Sequence, residues 1–206
     1  MTIRFHKGDL PDDLDFGPLV AIDTETLGLE VGRDRLCVIQ LSRGDGSADV
    51  VQIARGQTQA PNLARLLADP LVLKLFHFGR FDMAVLCHAF GVMPAPVYCT
   101  KIASKIARTY TDRHGLKDLT RELLGVEISK QQQSSDWGAD ELSEAQLSYA
   151  ASDVLYLHAL KDKLDAMLGR EGREHLARAA FLYLPERARL DLAGFEAMDI
   201  FAHASP

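Results

Sequence analysis

Five residues of this chain have the types and spacing of a hydrolytic metal centre. Asp23 and Glu25 follow the apolar run Leu19-Val20-Ala21-Ile22, which reads as a central strand covered on both faces. Side chains alternate along a strand, so two acids two residues apart point to the same side. Side by side at the edge of a core they repel each other unless something positive neutralises them. Asp82 stands in HFGRFDMAVL, in the first turns of an expected helix, and Asp153 stands in YAASDVLYL. Asp153 lies in an otherwise apolar or aromatic row of Tyr149, Tyr156, Leu160 and Leu164, so its carboxylate points inward, with Tyr149 one turn before it. Taken singly, an inward Asp is commonly a helix cap or an ion-pair partner. Four carboxylates without a Cys or His cluster suit a hard cation, Mg²⁺ or Mn²⁺. Two such ions about 4 Å apart can bridge one phosphate and activate a water, which Tyr149 would hold or deprotonate.

The elements that must position these residues are legible in outline. Residues 19–23, 35–42 and 48–53 read as three successive strands, and the turn RGDGS at 43–47 makes them an antiparallel meander. A short helix over 61–68, a strand over 73–76, a helix over 79–90 and a strand over 97–100 follow, then another helix. Two further helices are expected at 115–124 and 143–168, the latter opening with a capping box from Ser143 to Gln146. This order is that of an α/β, ribonuclease H-like fold, a mixed five-stranded sheet of three antiparallel strands then two parallel ones, flanked by helices. The first strand is expected at its centre with the fourth beside it. The polar segment 126–142 reads as a long loop with a plausible binding role. One more helix follows Gly169 and ends at Pro185. The last twenty residues form a tail whose Leu190, Leu192, Phe195, Met198, Ile200 and Phe201 must bury on their own domain or against another subunit. The expected division is therefore a catalytic domain over 1–168 and a C-terminal helix and tail over 169–206.

Composition bounds the function. A length of 206 residues with 47% hydrophobic and 25% charged residues fits one globular domain with an appendage. No apolar run is long enough for a membrane span and no signal-peptide core opens the chain, so no membrane and a cytoplasmic location are expected. Cys37, Cys87 and Cys99 are widely spaced and read as buried free thiols. A net charge of −6 argues against coating long nucleic acid but leaves room for a short anionic substrate held by metal. From Lys101 to Lys130 seven basic residues face four acids, a bias read first as a solvated helix face and second as a phosphate-facing rim.

DTETLGL (23–29), HFGRFD (77–82) and YAASD (149–153) resemble the three motifs of the DEDD exonucleases, and Tyr149 marks the DEDDy branch that includes ribonuclease D. SSDWGADELSEAQLSYAASDVLYL (134–157) is similar to ribonuclease D around the third motif, and the resemblance spans roughly residues 15–168. It implies 3′→5′ hydrolysis of RNA to nucleoside 5′-monophosphates with two divalent ions per site, held by Asp23, Glu25, Asp82 and Asp153, with Tyr149 on the water. The short form resembles the nano-RNase C group, whose members degrade short single-stranded RNA, dinucleotides especially, as ring-like octamers; a homo-oligomer is thus expected. Leu29 reads by itself as a hairpin contact tucked against the sheet, and the resemblance implies for it a wedge between terminal bases. Thr24, His77, Lys130 and Trp137 are further candidates for substrate contact, with Lys130 a candidate for the 5′-phosphate and Trp137 read more readily as a packing anchor. The alternatives are 3′ trimming of tRNA or other structured RNA, DNA proofreading, and an RNA-binding module without catalysis.

Overall fold

Val20, Ala21 and Ile22 are fully buried, as an uninterrupted apolar run covered on both faces of the sheet should be. The computed structural model describes residues 1–129 and 131–203. Six strands, β1 Thr2–Lys7, β2 Leu19–Thr26, β3 Leu36–Ser42, β4 Ser47–Gln52, β5 Leu73–Phe76 and β6 Val97–Cys99, lie in the order β1-β4-β3-β2-β5-β6. The β2-β3-β4 meander is antiparallel, and β5 joins β2 and β6 joins β5 in parallel, as expected. The sixth strand is a correction to the five-stranded expectation. β1 pairs in parallel with β4, a non-local pairing that no hairpin signal announces, and it is fastened by Arg4 and His6, which both reach the buried carboxylate of Asp49.

The helices are α1 Pro61–Ala68, α2 Arg80–Phe90, α3 Thr100–Ala107, α4 Leu116–Leu119, α5 Glu144–Leu155, α6 Leu157–Arg170 and α7 Glu174–Leu190. β2 sorts its side chains by parity. Val20 and Ile22 pack with Phe76 and Met83 in one layer, which α1, α2 and α7 cover. Ala21 faces the other layer with Leu75, Tyr98, Ala151 and Leu160, under α3, α5 and α6.

Three helix boundaries differ from the sequence expectation. The single helix over 143–168 is two, broken at Tyr156 (φ −103°, ψ −5°). The break lets α5 cover the meander while α6 turns onto α3, and it removes Asp153 from one continuous row with Leu160 and Leu164. The helix over 115–124 runs as α4 and then as a π-helical turn, Thr120–Leu124, closed by Gly125 at φ 70°. Pro185 does not end its helix. Its missing N–H and its ring disturb only the bond to Phe181, while Leu184 and Ala188 bury in the core and Arg187 grips Asp191 at 2.6 Å, so α7 continues to Leu190. The tail beyond it leaves Leu192, Phe195, Met198, Ile200 and Phe201 exposed in the single chain. Cys37 and Cys99 are buried thiols, whereas Cys87 on α2 is only half-buried.

Asp49 anchors β1 from inside the sheet, so Asp49→Ala should lower stability by about 1–3 kcal/mol, the usual cost of a lost charged hydrogen-bond partner. A thermal melt followed by circular dichroism should show a drop of several degrees; an unchanged midpoint would mean the strand is held without it.

Candidate active site

The site lies where β2 and β5, running in parallel, both end, beyond the carboxyl edge of the sheet. Parity decides which acids meet. Asp23 and Glu25 share the face of Ala21, the face that α5 covers, and there carboxylate oxygens of Asp23, Glu25 and Asp153 all come within 4.8 Å of one another. Thr24 points to the opposite layer, where its hydroxyl donates to Asp82 Oδ1 on α2 at 2.6 Å. Asp82 lines the same cleft but stands outside the group of three, engaged by Thr24. A register irregularity between Glu25 and Thr26 ends the regular pairing with β3 at the site.

Electrostatics shows what this arrangement costs. Burial, then Asp82, Asp153 and Glu25, push the Asp23 carboxyl well above the usual carboxylate range. Burial with Asp153 and Asp82 raises Glu25 to about 9, and burial raises Asp82 to about 6 against the hydrogen bond from Thr24. Burial and the carboxylates of Asp153, Glu25 and Asp23 also hold the Tyr149 phenol firmly protonated, with a hydrogen bond to Asp153. An all-oxygen donor set whose members raise one another's pKa fits divalent cations.

Sequence reasoning missed Gln40, which has no motif of its own. It sits opposite Asp23 on β3, fully buried, and its Nε2 donates to Asp23 Oδ2 at 2.7 Å. Only the strand register shows that the two meet.

The cleft around the acids measures about 690 Å³, within the range of ligand sites. Leu29 stands at its edge, 85% exposed, on a turn tightened by Thr26, which donates to the Gly28 carbonyl, and by Asp34, whose carboxylate leaves no room for a Cβ on Gly28. His77 lines the cleft, with Nδ1 2.9 Å from Thr100 Oγ1, whose hydroxyl donates to the Phe76 carbonyl at 3.2 Å. The Thr100 oxygen therefore accepts from His77 Nδ1–H, which leaves Nε2 as an acceptor. Burial and Lys101 lower the His77 pKa to about 3, so the ring is neutral.

Trp137 is a packing anchor, 2% exposed among Cys37, Val38, Val50 and Ala150, with its ring 6.0 Å from that of Tyr149. Gln146, Gln52 and Arg35 hold the backbone around it, so the long loop presents Gln133, Ser134 and Ser135 to the cleft. Lys130 lies outside the described residues. Of the basic run, Lys101 and Lys117 do line the cleft, whereas Arg108 is buried against Glu122 and is no solvated face.

The family model for 3′-5′ exonucleases matches residues 9–169 of this chain. The chain belongs to the 3′-5′ exonuclease family. Among solved structures the exonuclease is similar to Brucella melitensis NrnC with bound Mg²⁺, at 62% identity and a TM-score of 0.96 over 99% of this chain and 100% of that one. The same protein bound to pGG matches at 63% identity, with the same score and coverage. Ribonuclease D of Acidiphilium cryptum is 39% identical over 80% of this chain, and the chain spans 41% of that relative's length. These likenesses make it a ribonuclease D-like exonuclease of mixed α/β fold. Among the described residues no helix is long and apolar enough to cross a membrane.

The raised carboxyls set a pH dependence. Glu25 titrates near 9 in the fold against 4.5 ordinarily, and Asp82 near 6 against 3.8. The folded state therefore binds more protons than the unfolded one across this window, so stability falls as pH rises through it. The melting temperature of the metal-free exonuclease should drop between about pH 5 and pH 9. Mg²⁺ or Mn²⁺ should restore it most at the alkaline end, where the ligands are ionised. An equal gain from metal at both ends would contradict the assignment of these carboxylates.

Proposed function

We propose that the exonuclease degrades short single-stranded RNA from the 3′ end, preferring dinucleotides and releasing nucleoside 5′-monophosphates. The observation that carries this reading is the convergence of Asp23, Glu25 and Asp153 within 4.8 Å beside Tyr149 and Asp82, in a chain of this family. The likeness over the full length to a protein bound to pGG supports the short substrate. The exposed apolar tail supports a homo-oligomer, an octamer by resemblance to the nano-RNase C group, and the cytoplasm is the compartment we propose for this work.

Asp23, Glu25, Asp82 and Asp153 would hold two divalent ions, Mg²⁺ or Mn²⁺. When bound, these supply a nucleophilic water at neutral pH and neutralise charge on the phosphodiester. The chain's own residues prepare the rest. Gln40 fixes Asp23 and Thr24 fixes Asp82, so the carboxylates do not have to be ordered as substrate arrives. Tyr149 Oη orients the water along the line of attack on phosphorus. Water adds to phosphorus, the P–O3′ bond breaks, the terminal nucleotide leaves as its 5′-monophosphate and the freed O3′ takes up a proton. The neutral His77, with an acceptor nitrogen to offer, suits a sugar hydroxyl and not a phosphate. Leu29 makes sequence-tolerant apolar contact with the bases.

A time course with Mg²⁺ on 5′-labelled RNAs of two to about twenty nucleotides tests the substrate. The two-nucleotide RNA should be consumed fastest; accumulation of dinucleotides from longer RNAs would overturn the preference and favour a trimming enzyme. Tyr149→Phe should lower kcat by about 10²–10⁴-fold with the melting temperature held. An undiminished rate would remove the tyrosine from the chemistry.

A further inference from the structure

Phe78 is held in a backbone conformation that is unusual for its residue type. It connects β5 to α2 at φ 65°, and it is the one residue other than glycine with a positive φ among the described residues. The left-handed region is strained for a bulky side chain and suits Gly, Asn or Asp. Its neighbour Gly79 leaves no room for a Cβ against Phe76, so the connection is tightly fitted. Burial does not offset the strain, because the Phe78 side chain is 50% exposed and lines the cleft. Lys101, on α3, places its Nζ over the ring at 4.0 Å from the centroid. An exposed aromatic face, kept at a cost in backbone conformation and set beside a cation, is a surface for a flat, anionic ligand.

We propose that Phe78 is the stacking platform for a nucleobase of the substrate, with Lys101 holding the ring's orientation from one side. This rests on the proposed nucleotide substrate and adds the residue that sets its affinity. The ring works through its π-face, which every base shares, so it gives affinity without sequence preference. It complements Leu29, the exposed apolar residue on the turn after the neighbouring strand β2, so that the cleft has an aliphatic and an aromatic contact on the connections that follow two adjacent strands. The strain is then a feature of a binding site, where backbone outliers are retained for function.

The test separates binding from folding because the two respond in opposite directions. Phe78→Gly and Phe78→Asn both accept φ 65° without strain, so their melting temperatures should hold or rise. Their KM for a two-nucleotide RNA should rise about five- to a hundredfold, the range for loss of one base–aromatic stack, with kcat changed far less. Phe78→Trp should keep KM near the wild-type value. Unchanged KM in the Gly and Asn variants overturns the platform, and so does a melting temperature lowered by several degrees in both, which would make the ring structural. Wild-type protein that hydrolyses the RNA while the variants bind as well as it does sinks this inference alone. Wild-type protein that leaves the RNA intact sinks the proposed function and the platform with it.

Discussion

Mutual repulsion among carboxylates at the end of a buried strand is the constraint around which this chain is built. Asp23 and Glu25 sit at the edge of the core, with Asp153 brought within 4.8 Å and Asp82 close enough to raise both. A fold that assembles such a group must offset the repulsion by other means until cations arrive. Here part of the offset is protonation, since burial and mutual repulsion raise the Asp23 and Glu25 carboxyls, while packed surroundings keep the acids together. The strands on either side of β2 are paired along their length, and the helices that carry Asp82 and Asp153 are packed into the two core layers. Moving apart the backbones that carry these acids would disrupt the sheet pairing and the covering helices.

The polar partners of these acids follow the same geometry. Gln40 reaches Asp23 from the neighbouring strand and Thr24 reaches Asp82 from between the two strand acids. Each is a neutral donor, which orders a carboxylate without cancelling the charge that a metal needs. A salt bridge at either place would have neutralised the group and weakened its draw on a divalent ion. The alternation along β2 sets the division of labour: odd positions face α5 and supply two of the group of three, while Thr24 faces α2 and holds the fourth acid in place.

Much of the fold was legible because it follows local rules. The apolar run of β2, the Gly-rich turn between β3 and β4, and the capping box at Ser143 each stand in a few adjacent residues, and each appears where the pattern put it. What was not legible depends on distant partners. β1 owes its place to pairing with β4 and to Asp49, more than forty residues away. The break at Tyr156 answers to two separate surfaces that α5 and α6 must cover. Helix α7 runs through Pro185 because the core on one side outweighs one lost hydrogen bond.

The candidate site divides along the same line. The sequence by itself determined the kinds of atoms available: four carboxylates, a phenol one helical turn from one of them, and a leucine after a glycine, since spacing of two along a strand and of four along a helix fixes which neighbours share a face. Only the tertiary structure decided which of these meet. It set Asp82 apart under Thr24, gave Asp23 a partner in Gln40, buried Trp137 as an anchor, made His77 a neutral acceptor through Thr100 and Lys101, and turned Phe78 into the cleft. These outcomes rest on strand register, on the covering of two sheet faces and on burial, which are properties of the packed chain and of no short stretch of its sequence.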